Sequence, residues 1–275
     1  MLSTFSKITL VFVLLYQNSS GIAQINDPFT SAYSAGMLSC DQFSTNQDVF
    51  ILQPAILPQM NSTHISAHVQ SRFSGFDVVG LALHGATGLP MNFGAGLSIW
   101  SLGHPDYKSS DIIASAGKQL SQNIAIGISQ RLQRNKIANE GRPWTGSSTA
   151  GVLYDNQKWG LSININGLMR WNEQNNPDDF SAQFSGYTQM GSMTHIYFSV
   201  NYAEGKIYPV TAIRQTLIKN VEVFGAFQWY PARYGLGFLI PLSDQLDSIV
   251  STQYHPVLGW SPSIGLQWHG KEKEH

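Results

Sequence analysis

The chain has 275 residues, of which 43% are hydrophobic and only 12% are charged, with a formal net charge of -1. Soluble domains carry roughly 25% charged residues, so a surface this poor in charge is not wholly solvated. A net charge near zero supplies no basic face, which excludes nucleic acid as a partner.

Residues 1–23 read as a secretory signal peptide. Lys7 gives the charged start, Ile8 to Tyr16 the apolar run, and Gly21-Ile22-Ala23 the small-residue cleavage pattern. That run is too short to span a bilayer, and no later stretch reaches the roughly 18 apolar residues of a membrane helix. If the mature chain sits in a membrane, it does so with strands. Cys40 is the single cysteine, so no intrachain disulfide forms. Met37-Leu38-Ser39-Cys40 has the look of a lipoprotein box, but it lies too far beyond the apolar run to be cleaved with it.

Residues 24–62 are too polar and irregular for a strand hairpin and too apolar for a mere tail. From 63 to 270 the pattern changes to strict alternation, the signature of strands with two different faces. Ile65, Ala67 and Val69 oppose His64, Ser66, His68, Gln70 and Arg72. Ile124, Ile126 and Ile128 oppose Ala125, Gly127, Ser129 and Arg131. In residues 159–171, Trp159, Leu161, Ile163, Ile165, Met169 and Trp171 oppose Gly160, Ser162, Asn164, Asn166, Leu168 and Arg170. The same alternation recurs in 195–202, in 233–240 and in 257–270, where Trp260, Ile264, Leu266 and Trp268 oppose Ser261, Ser263, Gly265 and Gln267. Breakers such as Gly103-His104-Pro105-Asp106, Asn175 to Asp179 and Ala203-Glu204-Gly205 fall where turns are needed. The count is about fourteen strands of roughly ten residues, joined up and down. Residues 271–275 form a polar tail.

A soluble sandwich and a transmembrane barrel both accept this alternation. Trp159 and Trp171 lie twelve residues apart, about 40 Å along a strand at ~3.3 Å per residue, which a tilt near 40° reduces to about 30 Å across a bilayer. Sandwich core tryptophans would be scattered, whereas Trp100, Trp159, Trp171, Trp229, Trp260 and Trp268 gather at strand ends as an aromatic belt. The expected fold is therefore an all-β, antiparallel, transmembrane barrel.

Polar residues expected to face its lumen are His64, His68, Arg72, Arg131, Asn164, Asn166, Arg170, Arg233 and Gln267. A charge facing lipid costs about 2–4 kcal/mol at the midplane, so this one-sidedness favours the barrel. The inward face also carries many glycines, which suit either a plug inside the barrel or the kinks that curve the wall. No catalytic constellation, metal or cofactor is expected. His64 and His68 are four apart, roughly 13 Å on a strand, too far for a metal pair. No G-x-S-x-G elbow or phosphate-cradling loop occurs, and the charged residues lie mostly in turns.

The segment before the first strand resembles the N-terminus of the FadL/PorV-type outer-membrane barrels, the fatty-acid transporters and the type IX secretion barrels PorV and PorQ. Ser31-Ala32-Tyr33-Ser34-Ala35-Gly36-Met37, Asp48 and Gln53-Pro54-Ala55 follow the order of that family's motifs. Tyr33 stands where the family usually has Arg, and Gln53 where it usually has Asn. The resemblance implies a fourteen-stranded barrel in a Gram-negative outer membrane, with residues 24–62 folded into the lumen as a hatch and Ala32, Gly36, Met37, Asp48, Pro54 and Ala55 as its motif. It implies a non-enzymatic subunit or accessory of a protein-export assembly, partnered by lipid and by other outer-membrane or periplasmic proteins. A FadL-like uptake channel for hydrophobic small molecules is the alternative, and a general porin with a hatch-free lumen the third.

Overall fold

A computed structural model of the chain describes residues 31–45, 48–73, 77–104, 107–137, 140–141, 143–171 and 180–270. The expected signal peptide and polar tail lie outside these residues.

Fourteen strands close into an antiparallel barrel. In chain order they are β1 His64–Arg72, β2 Val78–Leu89, β3 Phe93–His104, β4 Tyr107–Gln119, β5 Ile124–Ile137, β6 Thr145–Asp155 and β7 Trp159–Trp171. They continue as β8 Ser181–Met190, β9 Thr194–Ala203, β10 Lys206–Thr216, β11 Glu222–Gln228, β12 Arg233–Ser243, β13 Leu246–His255 and β14 Gly259–His269. Glu140–Gly141 adds a short pairing to the end of β5. Each strand pairs with its sequence neighbours, and β1 pairs with β14 in a register running from His64↔His269 to Gln70↔Ser263. Closure leaves no sheet edge, the condition for strands to cross a membrane.

Both ends of the barrel segment lie at one rim, the proximal rim, together with the turns after β2, β4, β6, β8, β10 and β12. The opposite, distal rim carries the remaining connections, among them the two-residue turn at Glu204–Gly205, where both φ angles are positive (53° and 73°), the geometry that matches strand twist in a tight hairpin.

The two faces separate as the alternation requires. On β1 the buried residues are His64, Ser66, His68, Gln70 and Arg72, while Ile65 and Val69 are exposed. The exterior is an apolar band that includes Leu81, Leu83, Ile99, Ile126, Ile163, Phe198, Ile213, Leu236 and Ile264, all exposed and suited to hydrocarbon. Trp159 and Trp268 lie on this exterior at the proximal rim, and Trp171, Trp229 and Trp260 at the distal rim. A run of ring contacts reinforces the distal belt: Trp229 to Phe227 at 5.1 Å, Phe227 to Tyr234 at 5.1 Å, Tyr234 to Tyr254 at 6.2 Å and Tyr254 to Trp260 at 4.9 Å.

Trp100 is a correction to the expected belt. It is 4% exposed and faces the lumen. Its parity on β3 is that of Gly94, Gly96 and Ser98, its cross-strand partner is Asp111, and the Arg131 guanidinium lies 5.8 Å from its ring. Position near a strand end suggested lipid; the strand's alternation decides for the lumen.

This two-sidedness yields a direct expectation. Ile163→Arg, a charge near the middle of the lipid face of β7, should cost about 2–4 kcal/mol of folding free energy, measurable as a lowered denaturation midpoint of the barrel in lipid vesicles.

Inside the barrel lies the N-terminal segment. Its first element, α1 (Ala32–Gly36), is a single turn that Ser31 opens by accepting the Ser34 N–H at 3.1 Å. Two 3-10 turns follow, Asp48–Ile51 and Pro54–Gln59, and Pro54 starts the second where a missing N–H is harmless. Val49, Phe50, Ala55, Ile56 and Leu57 are fully buried and pack against Ala86, Ile113, Ala125 and Leu153 of the wall.

Candidate functional site

The site is the contact between plug and wall. Its first component is steric. A Cβ at Gly94 would meet the Leu57 backbone, one at Gly117 the Pro54 carbonyl, one at Gly127 the Pro54–Ala55 peptide, and one at Gly235 the backbone of Gly36. These glycines of β3, β4, β5 and β12 let the plug backbone lie directly on the sheet, so close approach accounts for them rather than wall curvature alone. Gly237 and Gly265 differ: a Cβ there would meet neighbouring wall side chains, Phe224 and His68.

The second component is a buried polar knot on Asp48. This carboxylate is 0% exposed and faces the seam between first and last strands. Oδ1 takes hydrogen bonds from Ser66 Oγ at 2.7 Å and His64 Nε2 at 2.9 Å; Oδ2 takes them from His68 Nε2 at 2.6 Å and, more weakly, Gln267 Nε2 at 3.4 Å. Both histidines therefore reach one carboxylate although their backbones are far apart, because their rings lean toward it along the strand. The chain of contacts continues outward from His64 Nδ1 to His269 Nδ1 at 3.3 Å, and from His269 Nε2 to Asp247 at 2.8 Å. One plug residue thus ties β1, β14 and, through His269, β13.

Asp48, His68 and His84 also place one ligand-capable atom each within 4.8 Å of one another. The Ala32 N–H donates to His68 Nδ1 at 3.3 Å, which leaves the ring proton on Nε2, facing Asp48. As bonded here His68 offers a proton to the carboxylate, where a metal ion would need its lone pair.

Burial alone would push the Asp48 carboxyl up; the His84, His68 and His64 imidazoles and the His64 hydrogen bond outweigh it and hold the group well below the usual carboxylate range. A carboxylate with a depressed folded pKa contributes stability that is complete above its unfolded value, near 4, and is lost as pH falls through the folded value. Protection of the plug from added protease should therefore persist down to about pH 4 and fall only below it. Loss of protection already well above about pH 4 would contradict control by this carboxylate.

Further contacts surround the plug. Asp41 accepts from Tyr33 Oη at 2.6 Å and from the Phe43 N–H at 2.8 Å, and Arg214 of β10 lies 3.6 Å from the same carboxylate and 3.3 Å from Tyr33 Oη. The wall thus supplies a guanidinium beside Tyr33 and Asp41. Gln42 accepts from Ser162 at 2.7 Å and Asn164 at 2.8 Å on β7, and Gln183 of β8 donates to the Ser39 carbonyl at 2.9 Å. Gln53 caps its own turn by accepting the Ala55 N–H at 3.2 Å and donates to the Val152 carbonyl of β6 at 3.3 Å.

Of the residues expected to face the lumen, His64, His68, Asn164 and Gln267 contact the plug, while Arg72, Arg131, Asn166, Arg170 and Arg233 line a cavity of about 380 Å³ between the plug and the distal rim. Of the hatch motif, Ala32, Gly36 and Met37 form or end α1 against the wall, Asp48 carries the knot, and Pro54 and Ala55 lie on Gly117 and Gly127. Sequence reasoning missed Asp41, Gln42, His84, Asp111 and Arg214. Parity could have found three of them: His84 alternates inward with Ala82 and Ala86, Asp111 with Ser109 and Ser115, and Arg214 with Tyr208, Val210 and Ala212.

Comparison with solved structures places this architecture. The CymD monoaromatic hydrocarbon channel superposes with a TM-score of 0.66 at 10% identity over 90% of this chain and 98% of its own. The shared fold is a closed, antiparallel, up-and-down membrane β-barrel. The KdgM porin (TM-score 0.46, 7% identity, 77% of this chain and 99% of its own) and a mutant Rh. blastica porin (TM-score 0.47, 7% identity, 76% and 98%) match more loosely. No protein-family profile matches the chain, and no curated protein does.

Proposed function

We propose that this chain is a plugged, non-enzymatic outer-membrane barrel of a Gram-negative bacterium, serving as a subunit or accessory of a protein-export assembly of the type IX kind. The observation that carries this reading is the seating of the plug: glycine-lined backbone contact on four strands, and a buried carboxylate knotted to the seam. A barrel built for steady conduction would have to break that knot, which favours contact with partners over passage of solute. The motif order around Ala32, Asp48 and Pro54 supports the same reading.

An uptake channel for hydrophobic small molecules is the second reading, favoured by the fold shared with a hydrocarbon channel. It asks for an apolar passage between plug and wall, and the cavity there is lined mainly by amides, hydroxyls and guanidinium groups. A mild-detergent pull-down of the tagged protein from its native outer membrane separates the two. Stoichiometric outer-membrane or periplasmic proteins are expected; recovery of the barrel alone with a lipid-like ligand would turn the reading to uptake.

A further inference from the structure

The lipid-facing wall carries its charges in one place. Among the described side chains of the fourteen strands, the outward-facing charges are Lys108 and Lys118 on β4 and Arg134 and Lys136 on β5, all basic and all exposed. Elsewhere parity turns the strand charges toward the lumen, and on β7 a bulge at Gly167 (φ 78°) does so for Arg170. Lys118 lies at the proximal end, 4.8 Å from the centre of the Phe93 ring. The other three gather at the distal end. Lys108 is directly opposite Lys136, and Arg134 is opposite Ser110 on the next outward rung.

Directly opposite residues have Cβ atoms about 5 Å apart, where like charges repel. None of Lys108, Arg134 and Lys136 has an ion pair or side-chain hydrogen bond among the described residues. By sequence, the adjoining connections 105–106 and 138–144 add Asp106, Glu140 and Arg142, which leaves four basic residues against two acidic ones. Cations held side by side at a membrane surface attract anionic headgroups.

Two further observations say which anion fits. The longest connections, 138–144 and 172–180, are distal, and both ends of the barrel segment are proximal; in barrels of this kind the longer loops are extracellular, so the cluster lies at the outer leaflet. An apolar groove of about 470 Å³ also opens on the outer surface, lined by Ala67, Val69, Leu81, Leu83, Ile99 and Ser101. Ser101, Ser110 and Arg134 share one rung, and Gly103, Lys108 and Lys136 the next. The edge of the groove is therefore two strands, about 10 Å, from the cations. Ser101, Gly103 and Ser110 are too small to wall one off from the other, and a Cβ at Gly103 would meet nothing within 4 Å.

We propose that the distal end of β4 and β5 binds an outer-leaflet lipid whose headgroup carries two phosphates, one on Lys108 and Lys136 and one on Arg134, with an acyl chain in the groove over β1 to β3. A guanidinium gives a phosphate paired hydrogen bonds and an ammonium gives it a point charge. A headgroup with a single phosphate leaves part of the cluster unanswered. The proposal rests on the outer-membrane placement and not on the export role.

The test is native mass spectrometry of the full, delipidated barrel in detergent with diphosphoryl lipid A, monophosphoryl lipid A and phosphatidylglycerol. One diphosphoryl lipid A should bind about tenfold or more tighter than either of the others, and excess inorganic phosphate, which has no chain for the groove, should not displace it. Arg134→Gln, and Lys108→Gln with Lys136→Gln, should each weaken it by about tenfold or more. These variants lie outside the core and relieve repulsion, so the barrel keeps its fold. Ala67→Leu, an apolar exchange that fills the groove, should weaken binding about threefold, and Lys118→Gln should leave it unchanged. Absence of binding, equal binding of the monophosphoryl form, displacement by inorganic phosphate, or an equal loss in Lys118→Gln would overturn the proposal. Density-gradient fractionation of native membranes tests the outer-membrane placement separately; a barrel found there that binds no diphosphoryl lipid A overturns the lipid site alone.

Discussion

In a barrel carrying Asp48→Ala, Cys40 should react rapidly with a small maleimide, whereas in the natural chain it should stay protected. Cys40 is the single cysteine and is 0% exposed within the plug, so its labelling reports plug seating alone. Removing the carboxylate leaves His64, Ser66 and His68 with buried donors and no acceptor, and the plug loses about 3–5 kcal/mol of seating free energy. Asp48→Asn should be intermediate, because an amide oxygen still accepts while its NH₂ faces donors. The barrel itself should remain folded, since the β1–β14 ladder does not depend on Asp48. Protection of Cys40 in Asp48→Ala equal to that of the natural chain would show that the glycine contacts hold the plug without the knot.

Gly127→Val should displace the plug by the opposite route, overpacking. A Cβ there would collide with the Pro54–Ala55 peptide, which is backbone and has no flexible end to move aside. Overpacking a fitted interior costs about 1–3 kcal/mol, and here the upper end or beyond is expected because a whole 3-10 turn must lift. The readouts are Cys40 labelling and a lower temperature for loss of the compact, heat-modifiable form on gels. Gly103→Val is the control: a Cβ at Gly103 meets nothing within 4 Å, so it should leave both readouts unchanged. Equal behaviour of the two variants would remove steric seating from the account.

The architecture was legible because alternation has only one meaning in a strand. Ile65, Ile163 and Ile264 mark an apolar exterior, and each lies on it. Parity is also the rule that corrects Trp100, whose neighbours Ile99 and Ser98 already assign it inward. The bulge of β7 was not legible: it puts Leu168 outside although simple alternation sets it inside with Asn166, because a left-handed glycine leaves no periodic trace. The glycines hinted at a plug without naming its contacts. Asp48 entered only as a motif position; that it gathers three imidazoles from two strands follows from plug placement, which no local pattern encodes. The same holds for Arg214 and Asp41, which lie 173 positions apart in the sequence and meet only in the closed barrel.

If the N-terminal segment closes the lumen, planar-bilayer recording of the purified full chain should show a silent membrane for the natural protein and ion conductance on introduction of Asp48→Ala. A steady, ohmic conductance from the natural barrel would contradict it.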